Sequence, residues 1–348
     1  MRWLIYGAYG YTGELIAREA VARGMTPVLA GRDAGRLQSL AAELGLDARA
    51  FALDAIGDSL NDIDLVLHCA GPFSRTSAPM LSACLDGGCH YLDITGEIDV
   101  FAQAWAHDER ARLSDVVVCP GVGFDVVPTD CMAATLVDAL PAAVRLALAF
   151  EGGGGFSRGT ARTSVEGLGQ GGRVRRDGEL VRVPLAWKTR RVPFNHAERE
   201  AVTIPWGDVF TAWVSTGVPD IEVYMSVPPA AIRRLRWMAK LQGLLRLGPV
   251  QSLLRRRVDA APPGPDAQTR AATGVELWGE VESADGRRAT LTMSGPNGYD
   301  ITVTASLAIV ERLLSGQLEG GYYTPSLLMG KDFAASLPGM SARAVELS

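Results

Sequence analysis

Residues 3–13 read WLIYGAYGYTG, and this stretch decides the fold of the chain. Residues 3–6 are apolar and have the length of a buried strand, and residues 14–21 carry apolar side chains at helical spacing. Gly7, Gly10 and Gly13 lie between these two segments at intervals of three. Strand, glycine turn and helix in this order are typical of a dinucleotide-binding unit, in which the backbone approaches a pyrophosphate and the helix offers it N–H groups.

The end of the next strand indicates which dinucleotide is bound. An NAD-binding domain usually ends this strand with an acidic residue that holds the ribose 2′-hydroxyl. Here residues 26–30 lead into Gly31-Arg32, with Arg36 one helical turn later. Arginine binds phosphate bidentately, so this pattern suits a 2′-phosphate and predicts NADP(H), although the adjacent Asp33 argues against it.

The predicted cofactor site continues along the ends of the following strands. Asp54 follows the third strand, where it would border the adenine, and residues 69–72 follow the fourth, where they would form a floor for the ribose and nicotinamide. The predicted cofactor-binding residues are Gly7, Tyr9, Gly10, Tyr11, Thr12, Gly13, Gly31, Arg32, Arg36, Asp54, Cys69, Ala70, Gly71 and Pro72.

Composition limits the classes of function. The chain has 348 residues, 47% hydrophobic and 21% charged, which is ordinary for a globular protein of two domains. Its formal net charge of −5 and the lack of a nucleic-acid-binding motif argue against a nucleic-acid partner. The cysteine and histidine spacings match no metal motif, so we predict buried thiols and no metal site. The chain begins directly with a strand and has no apolar run long enough to span a bilayer, so we expect a cytoplasmic location.

The pattern of elements changes near residue 140. Six strand-like segments precede this point and five are followed by helical patterns, which predicts an α/β fold with a Rossmann-like, doubly wound parallel sheet. Later strand-like segments follow one another without long helices, which favours an inserted α+β domain built on a largely antiparallel sheet. These segments are 145–150, 180–184, 202–205, 209–214, 221–227, 274–282 and 288–294. We predict an NADP-binding domain over 1–140, completed by 299–348, and a substrate domain over 141–298.

Residues 228–258 are rich in leucine and arginine. Their apolar residues at helical spacing predict an amphipathic helical segment, interrupted at Gly248-Pro249. One interpretation is a surface helix that covers the sheet, and the other is contact with a membrane surface or a long-chain substrate. Four tryptophans of the second domain favour an elongated, apolar ligand: Trp187, Trp206, Trp213 and Trp237.

Several motifs in a fixed order carry a resemblance to a known family. They are GAYGYTG at 7–13, AGR at 30–32, CAGPF at 69–73, HYLDITGE at 90–97, PGVGFDVVPTD at 120–130, SGPNGY at 294–299 and GGYYTPS at 320–326. With these motifs the whole chain resembles the saccharopine dehydrogenase-like oxidoreductases, in the branch that includes the trans-acting enoyl reductases. The resemblance implies a Rossmann-like domain, an inserted α+β domain and NADP(H), but it does not imply saccharopine as the substrate.

The resemblance also implies hydride transfer to an enoyl or related lipid- or polyketide-like substrate. Such a reaction needs stabilisation of an enolate oxygen and a proton donor. Polar residues at strand exits are the candidates: His90, Asp93, Thr95, Glu97, Asp125, Tyr322, Tyr323 and Thr324. Of these, Glu97, Asp125 and Tyr323 are the predicted catalytic residues. No tyrosine is followed four residues later by lysine, which argues against the Tyr-x-x-x-Lys chemistry of short-chain dehydrogenases.

Two other functions stay open. One is a saccharopine-type amino-acid dehydrogenase, and the other is a non-catalytic NADP-binding scaffold associated with a membrane. The predicted partner is a small-molecule substrate, with a long-chain acyl compound as one hypothesis. Peripheral membrane contact through 228–258 and a homodimer are further hypotheses.

Overall fold

The computed structural model describes residues 1–245, 247–316 and 318–348. These residues form two compact units. The first contains Met1–Val127 and Ile301–Met329, and the second contains Pro128–Asp300 and Gly330–Ser348. Arg246, which belongs to the predicted basic segment, lies outside the described residues. The assignment of one domain to the cofactor and one to the substrate stays a prediction.

The helices of the described residues are numbered along the chain. They are α1 (Tyr11–Ala22), α2 (Ala34–Leu44), α3 (Phe73–Gly87), α4 (Ile98–Trp105), α5 (Asp108–Leu113), α6 (Val127–Ala139), α7 (Arg158–Leu168), α8 (Asp208–Thr216), α9 (Pro229–Lys240), α10 (Gln242–Leu245), α11 (Gly248–Asp259), α12 (Ala267–Ala272), α13 (Gly298–Ser315), α14 (Pro325–Met329) and α15 (Phe333–Ser336). A short 3₁₀ helix spans Gly57–Leu60.

The strands are numbered in the same way. They are β1 (Trp3–Tyr6), β2 (Val28–Gly31), β3 (Ala48–Ala50), β4 (Leu65–His68), β5 (His90–Asp93), β6 (Val117–Cys119), β7 (Ala143–Gly152), β8 (Gly172–Arg176), β9 (Glu179–Val183), β10 (Thr189–Pro193), β11 (Glu198–Thr203), β12 (Asp220–Ser226), β13 (Gly274–Ser283), β14 (Arg288–Pro296), β15 (Gly321–Tyr322), β16 (Ser341–Ala342) and β17 (Glu346–Leu347).

The sheet of the first unit has the predicted doubly wound topology. Its strand order within the described residues is β15-β6-β5-β4-β1-β2-β3, and every pair is parallel. All four residues of β1 are buried, and β1 lies between β2 and β4, so it is an interior strand whose side chains are covered on both faces of the sheet. The strand order changes direction between β1 and β4, and doubly wound sheets bind ligands at the carboxyl ends of the strands at such a point. Strand β15 was not predicted, since two residues are too short to give a pattern.

The sheet of the second unit is largely antiparallel, as predicted. Its main path is β10-β11-β12-β7-β13-β14-β16, and only the β7–β12 pair on this path is parallel within the described residues. The hairpin β8–β9 lies outside this path and joins the sheet where β8 pairs with β12. Strands β8 and β10 were missed, because each combines several arginines with few apolar residues.

One predicted strand is wrong. Residues 209–214 belong to helix α8, which ends at Gly217 in the left-handed conformation. Val, Phe, Thr and Trp favour strands, and the first five residues of this helix, including Asp208 and Thr211, are all buried, so no exposed polar face marks the segment as a helix. A short apolar run of this kind does not distinguish a buried helix from a buried strand.

Two predicted helices are also divided. The apolar spacing of residues 100–113 predicts one helix, but these residues are divided between α4 and α5. The segment 228–258 is split into α9, α10 and α11, and Gly248-Pro249 begin α11 rather than interrupting a longer helix. Within the described residues, no helix is both long enough and apolar enough to cross a membrane.

Candidate cofactor and catalytic site

The glycine turn between β1 and α1 is shaped by close contacts of the backbone. Gly7 has φ of +84°, and a Cβ there would lie 2.8 Å from the Cβ of Ala70. A Cβ on Gly13 would lie 2.4 Å from the carbonyl oxygen of Gly7, so α1 packs closely against the turn. A Cβ on Gly10 would meet only that same oxygen, at 3.1 Å, among the described residues. Gly7 and Gly13 are therefore required by the fold, whereas Gly10 leaves room beside the helix.

Helix α1 begins next to this open space beside Gly10. Gly10 is its N-cap residue and, as a glycine, has no side chain to cap the first turn. The N–H of Glu14 donates to the Gly10 carbonyl, which starts the intrahelical pattern. The earlier N–H groups of the turn, at Thr12 and Gly13, together with the positive end of the helix dipole, suit the pyrophosphate of a dinucleotide.

Tyr9 organises the end of β2. A Cβ on Gly31 would lie 2.6 Å from the Tyr9 ring, so only glycine allows this ring to pack there. The Arg36 guanidinium lies 4.6 Å from the centre of the Tyr9 ring and donates to the Tyr9 carbonyl at 2.9 Å. Arg32 is exposed beside it. Tyr9 thus holds the Arg36 guanidinium in place, and the exposed Arg32 side chain is a second cation at the predicted position of the 2′-phosphate.

Asp33, the acidic residue that argues against NADP(H) in the sequence, caps helix α2. It is the N-cap of α2, and its Oδ1 accepts a hydrogen bond from the Arg36 N–H at 3.0 Å. Its own N–H donates to the Tyr9 hydroxyl at 3.3 Å. Aspartate is a preferred N-cap residue, so helix capping explains this acidic side chain without a ribose contact.

The other predicted cofactor residues lie at the same end of the sheet. Asp54 is exposed in the turn after β3, and both Asp54 and Arg32 act electrostatically on the buried Tyr6 hydroxyl, whose pKa is raised mainly by burial. Ala70 packs against Gly7, and its carbonyl accepts a hydrogen bond from Thr76 at 2.7 Å. The half-buried Cys69 has its thiol pKa raised by burial and by the charge of Asp93, so it stays protonated at neutral pH.

Glu97 caps helix α3. One of its carboxylate oxygens accepts the N–H of Phe73 and the other accepts the N–H of Ser74, each at 2.9 Å. These N–H groups belong to the first turn of α3, directly after Gly71-Pro72. Glu97 therefore ties the exit of β5 to the exit of β4, and the sequence does not reveal this because the partners are 23 and 24 residues apart.

Asp93, at the end of β5, is fully buried and holds the next loop. Its Oδ1 accepts the N–H groups of Thr95 and Gly121 at 2.9 Å each, and its Oδ2 accepts the Tyr91 hydroxyl at 2.8 Å. Burial raises the pKa of Asp93 to about 6, although the three donors oppose this shift. Because Gly121 belongs to the loop after β6, Asp93 fixes the loop that carries Asp125.

Asp125 is half-buried on that loop. A Cβ on Gly96 would lie 2.7 Å from its Oδ2, so the carboxyl group lies against the backbone beside Glu97. Burial raises the pKa of Asp125 from 3.8 to about 7. Among the described residues, the structure shows no hydrogen-bond donor to this carboxyl group. Asp125 can therefore gain or lose a proton near neutral pH without breaking a structural contact.

Tyr323 is not brought together with Glu97 and Asp125. Its hydroxyl donates to the Glu319 carbonyl at 3.0 Å, and Glu319 precedes β15 at the end of the sheet where the strands begin. His90 also lies at that end, where its Nδ1 accepts the Val117 N–H at 3.0 Å.

His68 was not predicted, although it directly precedes Cys69. It is fully buried at the end of β4, with its ring in contact with the rings of Tyr6, Phe73 and Tyr91. Neither ring nitrogen has a hydrogen-bond partner within the described part of the chain. Burial lowers the pKa of His68 to about 3, so the ring is neutral and serves as an aromatic packing group.

The four tryptophans that favour an apolar ligand in the sequence occur in separate contacts. Trp206 packs against Phe150, with 4.8 Å between ring centres. Trp187 lies under Lys188 and Arg176, while Trp213 lies under Arg175. Since Arg175 and Arg176 are neighbours on a strand, their side chains point to opposite faces of the sheet. Trp237 is 62% exposed. The expectation that these four rings together indicate one apolar cavity is therefore not supported by their placement.

Comparison with known proteins identifies the N-terminal part of the chain. Residues 3–119 match the family model of the saccharopine dehydrogenase NADP binding domain. A probable mitochondrial saccharopine dehydrogenase-like oxidoreductase of Arabidopsis thaliana is 34% identical over 147 residues, and a trans-acting enoyl reductase of Mycobacterium tuberculosis is 32% identical over 145 residues. Each match covers 36% of this chain, and they span 32% and 33% of those relatives. These matches confirm the predicted resemblance and the NADP-binding character of the domain.

One solved structure resembles the whole chain. Saccharopine dehydrogenase (L-Glu forming) from Saccharomyces cerevisiae has a TM-score of 0.66 and 11% sequence identity. The similarity covers 99% of this chain and 100% of that chain. At this identity the comparison shows a shared fold alone, and it confirms the predicted combination of a parallel Rossmann-like sheet with a second, largely antiparallel sheet.

Proposed function

From the saccharopine dehydrogenase NADP binding domain at residues 3–119, we propose that this protein is an NADP(H)-dependent oxidoreductase that acts on a small organic substrate. The observation that carries the proposal is the arrangement at one end of the first sheet. A glycine turn, a stacked arginine and a half-buried carboxyl group with a pKa of about 7 lie at the carboxyl ends of its parallel strands.

The residues present fit the cofactor. The first turn of α1 would hold the pyrophosphate, Arg32 and Arg36 would hold the 2′-phosphate, and residues 69–72 would lie beside the nicotinamide. When bound, NADPH supplies a hydride. The protein holds the cofactor, orients the substrate and provides the proton that a reduction also requires.

Asp125 is the proposed proton donor. Reduction of a conjugated double bond adds a hydride to one carbon and a proton to the other. A donor with a pKa near 7 is partly protonated at neutral pH and still acidic enough to transfer its proton. Glu97 is instead a positioning residue, because both of its oxygens accept backbone N–H groups of α3.

The proposed substrate is an enoyl compound, with an elongated, apolar acyl chain. The name of the mycobacterial relative supports this class. We place the substrate pocket in residues 141–298, as the sequence suggested. The competing class is an amino-acid substrate of the saccharopine type, which the shared fold alone does not favour over the first. A cytoplasmic location and a homodimer stay predictions.

NADPH oxidation across a matched panel of substrates tests the proposal. Enoyl thioesters of increasing chain length are compared with a 2-oxo acid plus an amino acid, which would form an imine. We expect turnover of the enoyl compounds, rising with chain length. Turnover of the imine pair alone would favour the saccharopine-type reaction. NADPH binding without turnover of any compound would favour the non-catalytic scaffold and contradict the proposal.

A further inference from the structure

The helices α9 and α11 carry an unusual surface for a chain of net negative charge. The formal net charge of the whole chain is −5, yet residues 228–258 contain no Asp or Glu. We use the term basic surface for seven of the exposed residues of α9 and α11, five cations and two large apolar residues: Arg233, Arg234, Trp237, Lys240, Leu253, Arg256 and Arg257.

Helix α9 is attached to the second unit by one face. Ile232 is 3% exposed in a cluster with Ala186 and Val202, and Leu235 packs against the same cluster. Trp237 lies on the opposite face and is 62% exposed. An indole of this size is normally covered in a globular protein, so its exposure requires an explanation.

The neighbours of Trp237 on the outer face of α9 are all cations. Arg233 and Arg234 precede it by four and three residues, and Lys240 follows it by three, so these side chains surround the indole on the helix surface. All three are exposed, and the described residues provide no acidic partner for them. By contrast, Arg18 of α1 is ion-paired with Glu14 and Glu43, and the exposed Arg112 of α5 is ion-paired with Asp108.

Helix α11 repeats this combination. Leu253 is 56% exposed, and Arg256 and Arg257 follow it by three and four residues on the same side. The inner side of α11 is attached to α7, since Arg255 pairs with Glu166 and the Gln251 amide donates to the Val165 carbonyl. Both helices are therefore held by one side and present apolar groups among cations on the other.

We propose that the basic surface binds the headgroup region of an anionic lipid bilayer. Arginine and lysine would contact lipid phosphates, while Trp237 and Leu253 would enter the boundary between headgroups and acyl chains. An acidic protein would attract the same cations but would leave no role for the exposed indole and leucine. The inference does not rest on the proposed oxidoreductase activity, because the basic surface includes neither a proposed cofactor-binding residue nor Asp125 or Glu97.

Vesicle flotation with the full chain tests the proposal. We expect binding to vesicles of phosphatidylcholine mixed with phosphatidylglycerol, no binding to phosphatidylcholine alone, and weaker binding as salt increases. The double substitution Arg233→Gln/Arg234→Gln should lower the partition coefficient about tenfold or more. Trp237→Ala should lower it as well, whereas Trp237→Phe should retain most of it.

The matched controls are Arg343→Gln and Trp105→Ala, which change an exposed arginine and a partly exposed tryptophan elsewhere on the chain. Both should bind vesicles like the unchanged protein. Circular dichroism and thermal denaturation serve as the check of folding for every variant. Failure to bind the anionic vesicles would overturn the proposal. It would also be overturned if polyglutamate competed for binding while Trp237→Ala had no effect, since that result indicates an acidic protein partner.

Discussion

At the end of β2, the Tyr9 ring determines where the Arg36 cation stands. The guanidinium stacks on this ring and is tied to the Tyr9 carbonyl, so little side-chain entropy remains to be lost when phosphate binds. Arg32 is exposed and has more freedom. The two arginines should therefore contribute unequally to cofactor affinity, with Arg36 the more important.

Replacing Arg36 should change the choice of cofactor. Arg36→Ala should weaken NADPH binding about tenfold or more and leave NADH binding nearly unchanged, because only NADPH carries the 2′-phosphate. Arg32→Ala should act in the same direction. Fluorescence titration with both cofactors measures the effect, with Arg23→Ala, an arginine paired with Glu19 at the far end of α1, as the control. Equal losses for the two cofactors would show that Arg36 does not contact the 2′-phosphate.

Asp125 should make reduction depend on pH. The proton donor is present below its pKa of about 7, so kcat should fall as the pH rises through this value. Asp125→Asn should lower kcat strongly and remove this pH dependence, while NADPH affinity stays the same. Asp99→Asn, on an exposed residue of α4, is the control. A variant that keeps the full rate and the same pH profile would exclude Asp125 as the donor.

The same carboxyl group should affect stability with a defined sign. Its pKa in the folded protein is raised from 3.8 to about 7, so it stabilises the fold below the lower value and loses this contribution as the pH rises through the higher one. Asp125→Asn should therefore be less sensitive to the change from about pH 4 to about pH 8 than the unchanged protein. Urea denaturation at both pH values measures the difference, and an identical pH dependence would contradict the raised pKa.

At the scale of the elements, the first turn of α3 is stabilised by the carboxylate of Glu97, which comes from another part of the chain. Glu97→Ala should lower the free energy of unfolding by about 1–3 kcal/mol, because two N–H groups of the first turn lose a charged acceptor. Glu97→Gln should restore part of the loss. Thermal denaturation measures the change, and Glu109→Ala, an exposed glutamate of α5, is the control. Unchanged stability with lost turnover would instead indicate a direct catalytic role.

Substitutions in the glycine turn should distinguish an effect on folding from an effect on NADPH binding. In Gly13→Ala the new methyl group meets backbone atoms at 2.4 Å, so α1 must move and the fold should lose about 1–3 kcal/mol. In Gly10→Ala the only close atom is 3.1 Å away, so the fold should persist while NADPH binding weakens. Gly87→Ala, which meets no atom within 4 Å in the described structure, is the control. Normal NADPH affinity in Gly10→Ala would show that the pyrophosphate does not approach this residue.

The sequence predicted those features that depend on local pattern. The alternation of strands and helices in the first unit and the glycine turn follow from apolar runs and glycine spacing, and both are present. The cap on α3 and the burial of the neutral His68 depend on contacts between distant segments, which no local pattern reveals. Helix α8 was mistaken for a strand because its buried residues give no periodicity.

At the scale of the whole molecule, the first unit is built from two separate parts of the chain. The family match ends at residue 119, but the sheet also includes β15, which pairs with β6. Helix α13 buries Ile301, Ile309 and Leu313, and its Thr302 hydroxyl accepts the Phe124 N–H at 3.0 Å. The N-terminal segment alone therefore lacks a face of its own core.

A fragment of residues 1–127 should not fold independently. Each fully buried Ile or Leu contributes about 1.5–3 kcal/mol, so the three residues of α13 together approach the total stability of a domain, about 5–15 kcal/mol. Joining 1–127 to 301–329 through a flexible linker should restore cooperative unfolding and NADPH binding. Circular dichroism and NADPH titration compare the two fragments. Ile309→Asp/Leu313→Asp in the joined fragment should abolish both properties. Cooperative unfolding with full NADPH affinity in 1–127 alone would show that α13 and β15 are dispensable for the cofactor domain.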